Sequence, residues 1–340
     1  MKTWSRRETL RLALVGGAAA LGASRAGSAR AADPETLVLY NGQHRQTAEA
    51  VVQAFTRKTG VKVTVRQGES AQLANQLMEE GASSPADLFY SEQSPPMAAV
   101  DAKGLLMPAT PATLGEVPKL YVSADGTWVG TSLRCRVLAY NKAMVSAADL
   151  PSSIMDVTQP RWAGKVAYVP RDGFQEQIVA IVKLHGRDKA QAWLNWLKKN
   201  GVLYNGNGAA MNAVEKGEVA TALVNNYYWF GLAKERGAEA MKSALHYFAK
   251  GDAGALVNLS PAAVLKTSRK AELAQQFLAF MVSEEGQKAI VAPYAEYPVR
   301  PGIVSPFPLK PLDEIGAVVT PADIGSAAIA MEMQRDAGMM

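Results

Sequence analysis

Three short apolar runs, Thr36-Leu-Val-Leu-Tyr40, Val61-Lys-Val-Thr-Val65 and Ala86-Asp-Leu-Phe-Tyr90, are separated from one another by segments of helical period. From His44 to Thr59 the residues Ala48, Val51, Val52 and Phe55 fall on one helix face, and Gly60 is placed to stop it. Ser70 can cap a second helix through Leu73, Leu77 and Met78 to Gly81. The resulting order β-α-β-α-β predicts a parallel, doubly wound sheet. A second series follows: a strand over Lys165 to Val169, helices over Phe174 to His185 and Asp188 to Lys199, a short helix near Ala209 to Glu215, and a strand over Ala220 to Val224. Two α/β units are therefore expected. Trp128 to Asn141 and Ala255 to Leu265 read as extended segments passing between them, and Ala271 to Val282 and Pro321 to Asp336 as late helices.

Ahead of these elements, Ser5-Arg6-Arg7-Glu8-Thr9-Leu10 is a twin-arginine opening. An apolar stretch from Leu12 to about Leu21 and an Ala29-Arg30-Ala31 cleavage site follow it. The reading is a signal peptide over residues 1–31, with export of an already folded chain to the periplasm. No cysteine lies near the cleavage site to carry a lipid. Without Lys2, Arg6, Arg7, Arg11, Arg25, Arg30 and Glu8, the 36 bases and 31 acids become 30 and 30. The pI of 9.1 thus belongs to the leader, and nucleic acid loses its compositional support as a partner. Cys135 is the single cysteine and His44, His185 and His246 the only histidines. An intramolecular disulfide, a thiolate cluster and a histidine-rich zinc site are thereby excluded.

In open α/β sheets ligands bind beyond the carboxyl ends of the strands. His44 lies just past the first strand, Glu92 just past the third, and Tyr227 and Tyr228 just past the strand Ala220 to Val224. Two adjacent phenols suit a hard trivalent cation, ferric iron before others. A phenol with an ordinary pKa near 10 ligates well only when the ion is acidic enough to displace its proton. Asn226 as N-cap would set both tyrosines about 100° apart on a first helical turn. Taken alone, Tyr227-Tyr-Trp-Phe230 also fits an aromatic plug at the start of a buried helix. His44 alone also fits a helix-start residue, and Glu92 a surface residue.

Leu37-Val-Leu-Tyr-Asn-Gly-Gln-His44, Ser84-Pro-Ala-Asp-Leu-Phe-Tyr-Ser-Glu-Gln93, Asn225-Asn-Tyr-Tyr-Trp229 and Ala295-Glu-Tyr-Pro298 closely resemble the periplasmic ferric-ion-binding proteins of bacterial iron-uptake ABC transporters. The resemblance covers essentially the whole chain after the leader. It implies the fold of a type II periplasmic binding protein: two doubly wound α/β domains joined by crossover hinge strands, with the ligand cleft between them. It implies an N-terminal lobe of residues 32–117, 123–136 and 258–308, and a C-terminal lobe of residues 118–122, 137–257 and 309–340. It implies Fe(3+) held by His44, Glu92, Tyr227 and Tyr228. A synergistic anion, phosphate or carbonate, would be contacted by Gln93, Asn207 and Asn225, with a water completing the octahedron. The family's small hydroxyl-bearing loop after the strand Lys165 to Val169 is replaced here by Pro170-Arg-Asp-Gly-Phe174, one residue shorter. Asp172 turned inward would repel an anion, Arg171 would attract one, and Gly173 remains as an amide donor.

The implied partners are an inner-membrane ABC permease and its ATPase, and the expected state is a monomer without catalytic activity. The same fold could instead take a small organic cation or an oxyanion, such as a polyamine, thiamine, sulfate or a phosphonate, with the tyrosines stacking on it. A hydrolase using His44 and Glu92 as an acid-base pair lacks any nucleophile motif in this sequence.

Overall fold

In the computed structural model, which describes residues 36–340, β1 (Thr36–Asn41), β2 (Lys62–Gln67) and β3 (Leu88–Tyr90) are parallel neighbours in the order β2-β1-β3. The proposed signal peptide lies outside the described residues. β4 (Leu106–Met107), β5 (Val129–Asn141), β6 (Val166–Tyr168), β7 (Val202–Leu203), β8 (Thr221–Asn225), β9 (Ser243–His246), β10 (Val257–Leu265) and β11 (Tyr297–Pro298) complete the strands. The path runs β2-β1-β3-β10-β5-β8-β6-β7, with β4 on β10 and both β9 and β11 on β5.

The parallel reading holds inside each series: β1 with β2 and β3, and β6 with β7 and β8. The two extended segments foreseen between them are β5 and β10, and they pair antiparallel. β5 changes partners along its length. Val129 to Cys135 pairs with β10, whereas Arg136 to Tyr140 pairs with β8. The ladder between β5 and β10 shifts register at Ser260/Pro261, a place where proline's missing N–H is tolerated.

The helix Arg45–Thr59 buries Thr47, Ala48, Val51, Ala54 and Phe55 and ends at Gly60, whose φ of 78° suits a left-handed C-cap. Its Phe55 ring meets Phe277 edge-on at 4.8 Å between centroids, so the late helix Ala271–Val282 closes over the first helix. One apolar cluster runs from Leu37 and Leu39 through Leu133 and Val137 to Met211 and Val224. A second gathers Trp162, Phe174, Trp193 and Leu197 with Met333.

Two sequence expectations are corrected. Ser70 is the first residue of the helix Ser70–Glu80 and does not cap it; its hydroxyl donates to Gly42 O and accepts from Glu92 N instead. Pro321 to Asp336 is not one helix. It breaks into Pro321–Ile324 and Ala328–Asp336, with Gly325 and Ala327 both at positive φ between them. No helix among the described residues is long and apolar enough to cross a membrane.

Candidate metal centre

The end of β1 is shaped by short-range polar bonds that present His44. Asn41 folds back on the turn: its Nδ2 donates to Gln43 O at 2.9 Å, and its Oδ1 accepts from Gln43 N at 3.2 Å. Gly42 lies so close to the helix start at Ser70 that a Cβ would come within 2.2 Å of Ser70 Oγ and 2.7 Å of its Cα. Only glycine fits there. His44 N donates to Gln43 Oε1 at 2.8 Å, and Gln43 Nε2 donates to Ser260 Oγ at 2.7 Å. Beyond β3, Glu92 is gripped by the same two serines: Ser70 Oγ accepts from Glu92 N at 2.9 Å and Ser260 Oγ donates to Glu92 O at 2.9 Å.

β8 ends at Asn225, which is the N-cap of the helix Asn226–Arg236. The cap expected at Asn226 therefore falls one residue earlier. The Asn226 side chain is used elsewhere, accepting from Cys135 N at 3.0 Å and donating to Ala295 O at 2.9 Å. Both tyrosines still lie on the first turn, with ring centroids 4.5 Å apart.

These strand ends meet. The Tyr227 hydroxyl donates to Glu92 Oε1 at 3.1 Å, and Asn225 Nδ2 donates to the same hydroxyl at 3.3 Å. His44 Nε2 lies 4.0 Å from Glu92 Oε1, and its ring meets Tyr227 edge-on at 4.9 Å. Two ligands each about 2.1 Å from one ion are about 3.0 Å apart at right angles and about 4.2 Å apart when opposite. The separations of His44 Nε2 and of the Tyr227 hydroxyl from Glu92 Oε1 fall in that range. Tyr228 stands beside Tyr227 and next to Asn207, whose amide favours its phenolate. A cleft of about 310 Å³, lined among others by His44, Asn212, Tyr227, Tyr228 and Tyr294, opens on the group. Among the described residues no cluster of three or more His, Cys, Asp or Glu is set to hold a metal, so a metal here depends on the phenols.

The remaining residues foreseen at the site divide into two sets. Gln93, Asn207 and Asn225 are buried, and Gly173 packs against Asn225, a Cβ there lying 3.3 Å from Asn225 Oδ1. Asp172 has a φ of 56° and, although it is the N-cap of the helix Gly173–His185, makes no capping bond. Its carboxyl is raised by burial and by Glu92, and lowered by the Gln93 amide and by Arg171. Arg171 is exposed; its Nε lies 3.9 Å from Asp172 Oδ2 and its guanidinium donates to Asn205 O.

Without a cation the site favours its uncharged forms. Burial first, then Glu92, pushes the Tyr227 phenol well above its ordinary value and raises that of Tyr228. Burial likewise raises Glu92 and lowers His44.

Several residues that sequence reasoning gave no role lie directly behind. Arg134 and Arg136 are buried in β5. Arg136 donates to Asn225 Oδ1 at 3.2 Å and to Leu223 O at 3.0 Å, holding the end of β8. Two arginines inside the apolar run Val129–Asn141 were the available signal, since buried charges are rare unless paired. Tyr294 stacks on His44 at 4.3 Å, and Glu296 Oε1 lies 3.8 Å from His44 Nε2. Glu176, buried and bonded by Ser94 Oγ at 3.2 Å and by Asn258 Nδ2, has its carboxyl raised to about 7, chiefly by burial.

Glu176 has a stability consequence. A carboxyl whose folded-state pKa is raised contributes stability below its unfolded value, and loses it as pH rises through the folded value. Metal-free protein is therefore expected to melt lower at pH 8 than at pH 5, and Glu176→Gln to flatten that dependence. Thermal unfolding across this range, monitored by circular dichroism, checks it; an equally steep fall in the variant would rule Glu176 out as the cause.

The chain is similar to known proteins over most of its length. Residues 50–311 match the model of the family described as bacterial extracellular solute-binding protein. The chain is 43% identical over 307 residues to the major ferric iron-binding protein of Neisseria meningitidis serogroup B, covering 89% of this chain and 93% of that protein. It is 36% identical over 317 residues to the Fe(3+)-binding periplasmic protein of Serratia marcescens, covering 92% and 94%. Among solved structures, iron-bound HitA from Pseudomonas aeruginosa superposes with a TM-score of 0.86 at 49% identity, over 89% of this chain and 99% of that one. With its fold and the greater part of its length matched, the chain belongs to the bacterial extracellular solute-binding proteins.

Proposed function

We propose that this protein captures ferric iron in the periplasm and delivers it to an ABC permease. The observation that carries the reading is the meeting of donors from three strand ends: Tyr227 on Glu92 at 3.1 Å, with His44 Nε2 at 4.0 Å from the same oxygen and Tyr228 beside Tyr227. His44, Glu92, Tyr227 and Tyr228 are the protein ligands. Two phenolates and one carboxylate offset the three positive charges of the ion, and the imidazole adds a neutral donor. The Neisseria, Serratia and Pseudomonas relatives, all of them iron-binding, support the choice of cargo and a carrier rather than an enzyme.

In this reading residues 32–117, 123–136 and 258–308 form one lobe, and residues 118–122, 137–257 and 309–340 the other. β5 and the entry to β10 are the hinge, and closure around iron brings the two ligand pairs together. Gln93, Gly173, Asn207 and Asn225 form an oxyanion subsite beside Tyr228, for phosphate or carbonate. The Asp172 carboxyl next to Gly173 opposes an added anion, only partly offset by its pairing with Arg171, so any dependence on phosphate should be shallow. The protein acts as a monomer, and its closed form is what the permease and its ATPase recognise.

The test is a visible titration of metal-free protein with ferric nitrilotriacetate, with and without phosphate. A tyrosinate-to-iron charge-transfer band saturating at one equivalent is expected. A colourless protein that leaves iron in the filtrate would reject the assignment and favour an organic cation or oxyanion as ligand.

A further inference from the structure

Glu296 follows the helix Glu284–Val291 and reaches back to the imidazole of His44. Its side chain is fully buried, and neither carboxylate oxygen is held in a well-formed hydrogen bond within the protein, the Ser132 hydroxyl being the side-chain donor that bears on it. A carboxyl is rarely buried in this way, because leaving its acceptors unsatisfied costs free energy. The group is not facing apolar packing. Its Oε1 is 3.8 Å from His44 Nε2, the nitrogen that also lies 4.0 Å from Glu92 Oε1. His44 Nε2 is itself buried and unpartnered, as are Ser132 Oγ and both Nε and Nη2 of Arg134. Arg134 spends its remaining nitrogen on Ser260 Oγ at 2.6 Å, the serine that also grips Glu92. Unpaired donors and acceptors of His44, Arg134 and Glu296 thus gather on the imidazole side of the centre, where a water would find the three or so bonds it needs.

Glu296 stands beside the imidazole, 3.8 Å from His44 Nε2, and its charge also bears on Arg134. We infer that Glu296 is a positioning residue for ferric capture: its carboxylate accepts a hydrogen bond from the water that completes the ion's coordination on the His44 side. Groups that orient metal ligands in this way typically change metal affinity about 10–100-fold when altered. The inference rests on the ferric reading of the site.

The test is Glu296→Gln, with Glu296→Asp as a second variant, in the full mature chain. The amide keeps the side chain's size and one acceptor, so melting of the metal-free protein serves as the control for folding. Three properties of the iron-loaded protein are then read: the position of the tyrosinate-to-iron band, the rate of iron loss to excess citrate, and broadening of the ferric electron paramagnetic resonance signal by isotopically enriched water. Expected are enriched-water broadening in the wild type, weaker broadening in Glu296→Gln, a shifted band, and iron loss faster by about 10-fold or more. The aspartate variant should fall between. An unchanged band and release rate in Glu296→Gln would overturn the inference, whether or not the melting temperature moved, because a purely structural carboxyl would affect only the latter. A wild-type protein with no band at all would instead remove the ferric reading, and this inference with it.

Discussion

Replacing Tyr227 or Tyr228 with phenylalanine is expected to weaken ferric binding by roughly 10²–10³-fold or more, the range implied by a loss of about 3–5 kcal/mol when one partner of a buried charge pair is removed. Each phenol supplies one negative charge to an ion that carries three. Phenylalanine fills the same space and packs the same neighbours, including the edge-on contact of Tyr227 with His44, so the loss is of the ligand and not of the fold. His44→Ala should cost less, since it removes a neutral donor whose place water can take. Competition against a chelator of known affinity measures all three variants. Equal ferric affinity in a tyrosine variant and in wild type would eliminate the phenols as ligands.

The second large effect is on pH. Burial, followed by Glu92, holds both phenols protonated at neutral pH in the metal-free protein, so both protons must leave when iron enters. Affinity then falls by about 100-fold for each pH unit of acidification, one factor of ten per proton displaced. Glu92, raised by burial, adds a third proton once pH drops through its own titration. The imidazole, lowered by burial, is neutral at pH 7 and adds its proton only below its ordinary range. Apparent affinities between pH 5 and 8, corrected for the chelator's own protonation, should therefore steepen towards acid. A flat profile would mean that no phenol is ionised on binding.

The parts of the fold and site that were legible in the sequence are those set by local pattern. The period of Ala48, Val51 and Phe55 placed the first helix, and Gly60 ended it. The rule that ligands gather beyond strand ends brought His44, Glu92, Tyr227 and Tyr228 into consideration, and the structure draws them together. What escaped is what distant residues decide. Ser70 has the chemistry of a cap, but Gly42 O and Glu92 N compete for its hydroxyl. Asn226 does also, but Cys135 and Ala295 take its side chain. Glu296 lies more than 250 residues from His44 in the chain; it falls in the motif Ala295-Glu-Tyr-Pro298, which shares in the family resemblance, but nothing local marks it as a neighbour of the imidazole. The arginines of β5 sit mid-strand, away from the rim where a search for ligands begins.

The bonds of Ser70 and Ser260 to the backbone of Glu92 and to the turn before His44 have a kinetic meaning for a carrier. They make His44 and Glu92 one stiff two-toothed clamp, while Tyr227 and Tyr228, consecutive on one helical turn, make another. Each clamp alone holds an ion far less tightly than both, because their joint grip depends on the high effective concentration at which one presents itself to the other. Under the proposed mechanism, a receptor that holds the clamps a few ångströms apart need not compete for the metal. Separation alone would collapse the avidity, and strong retention in transit would coexist with ready discharge at the membrane.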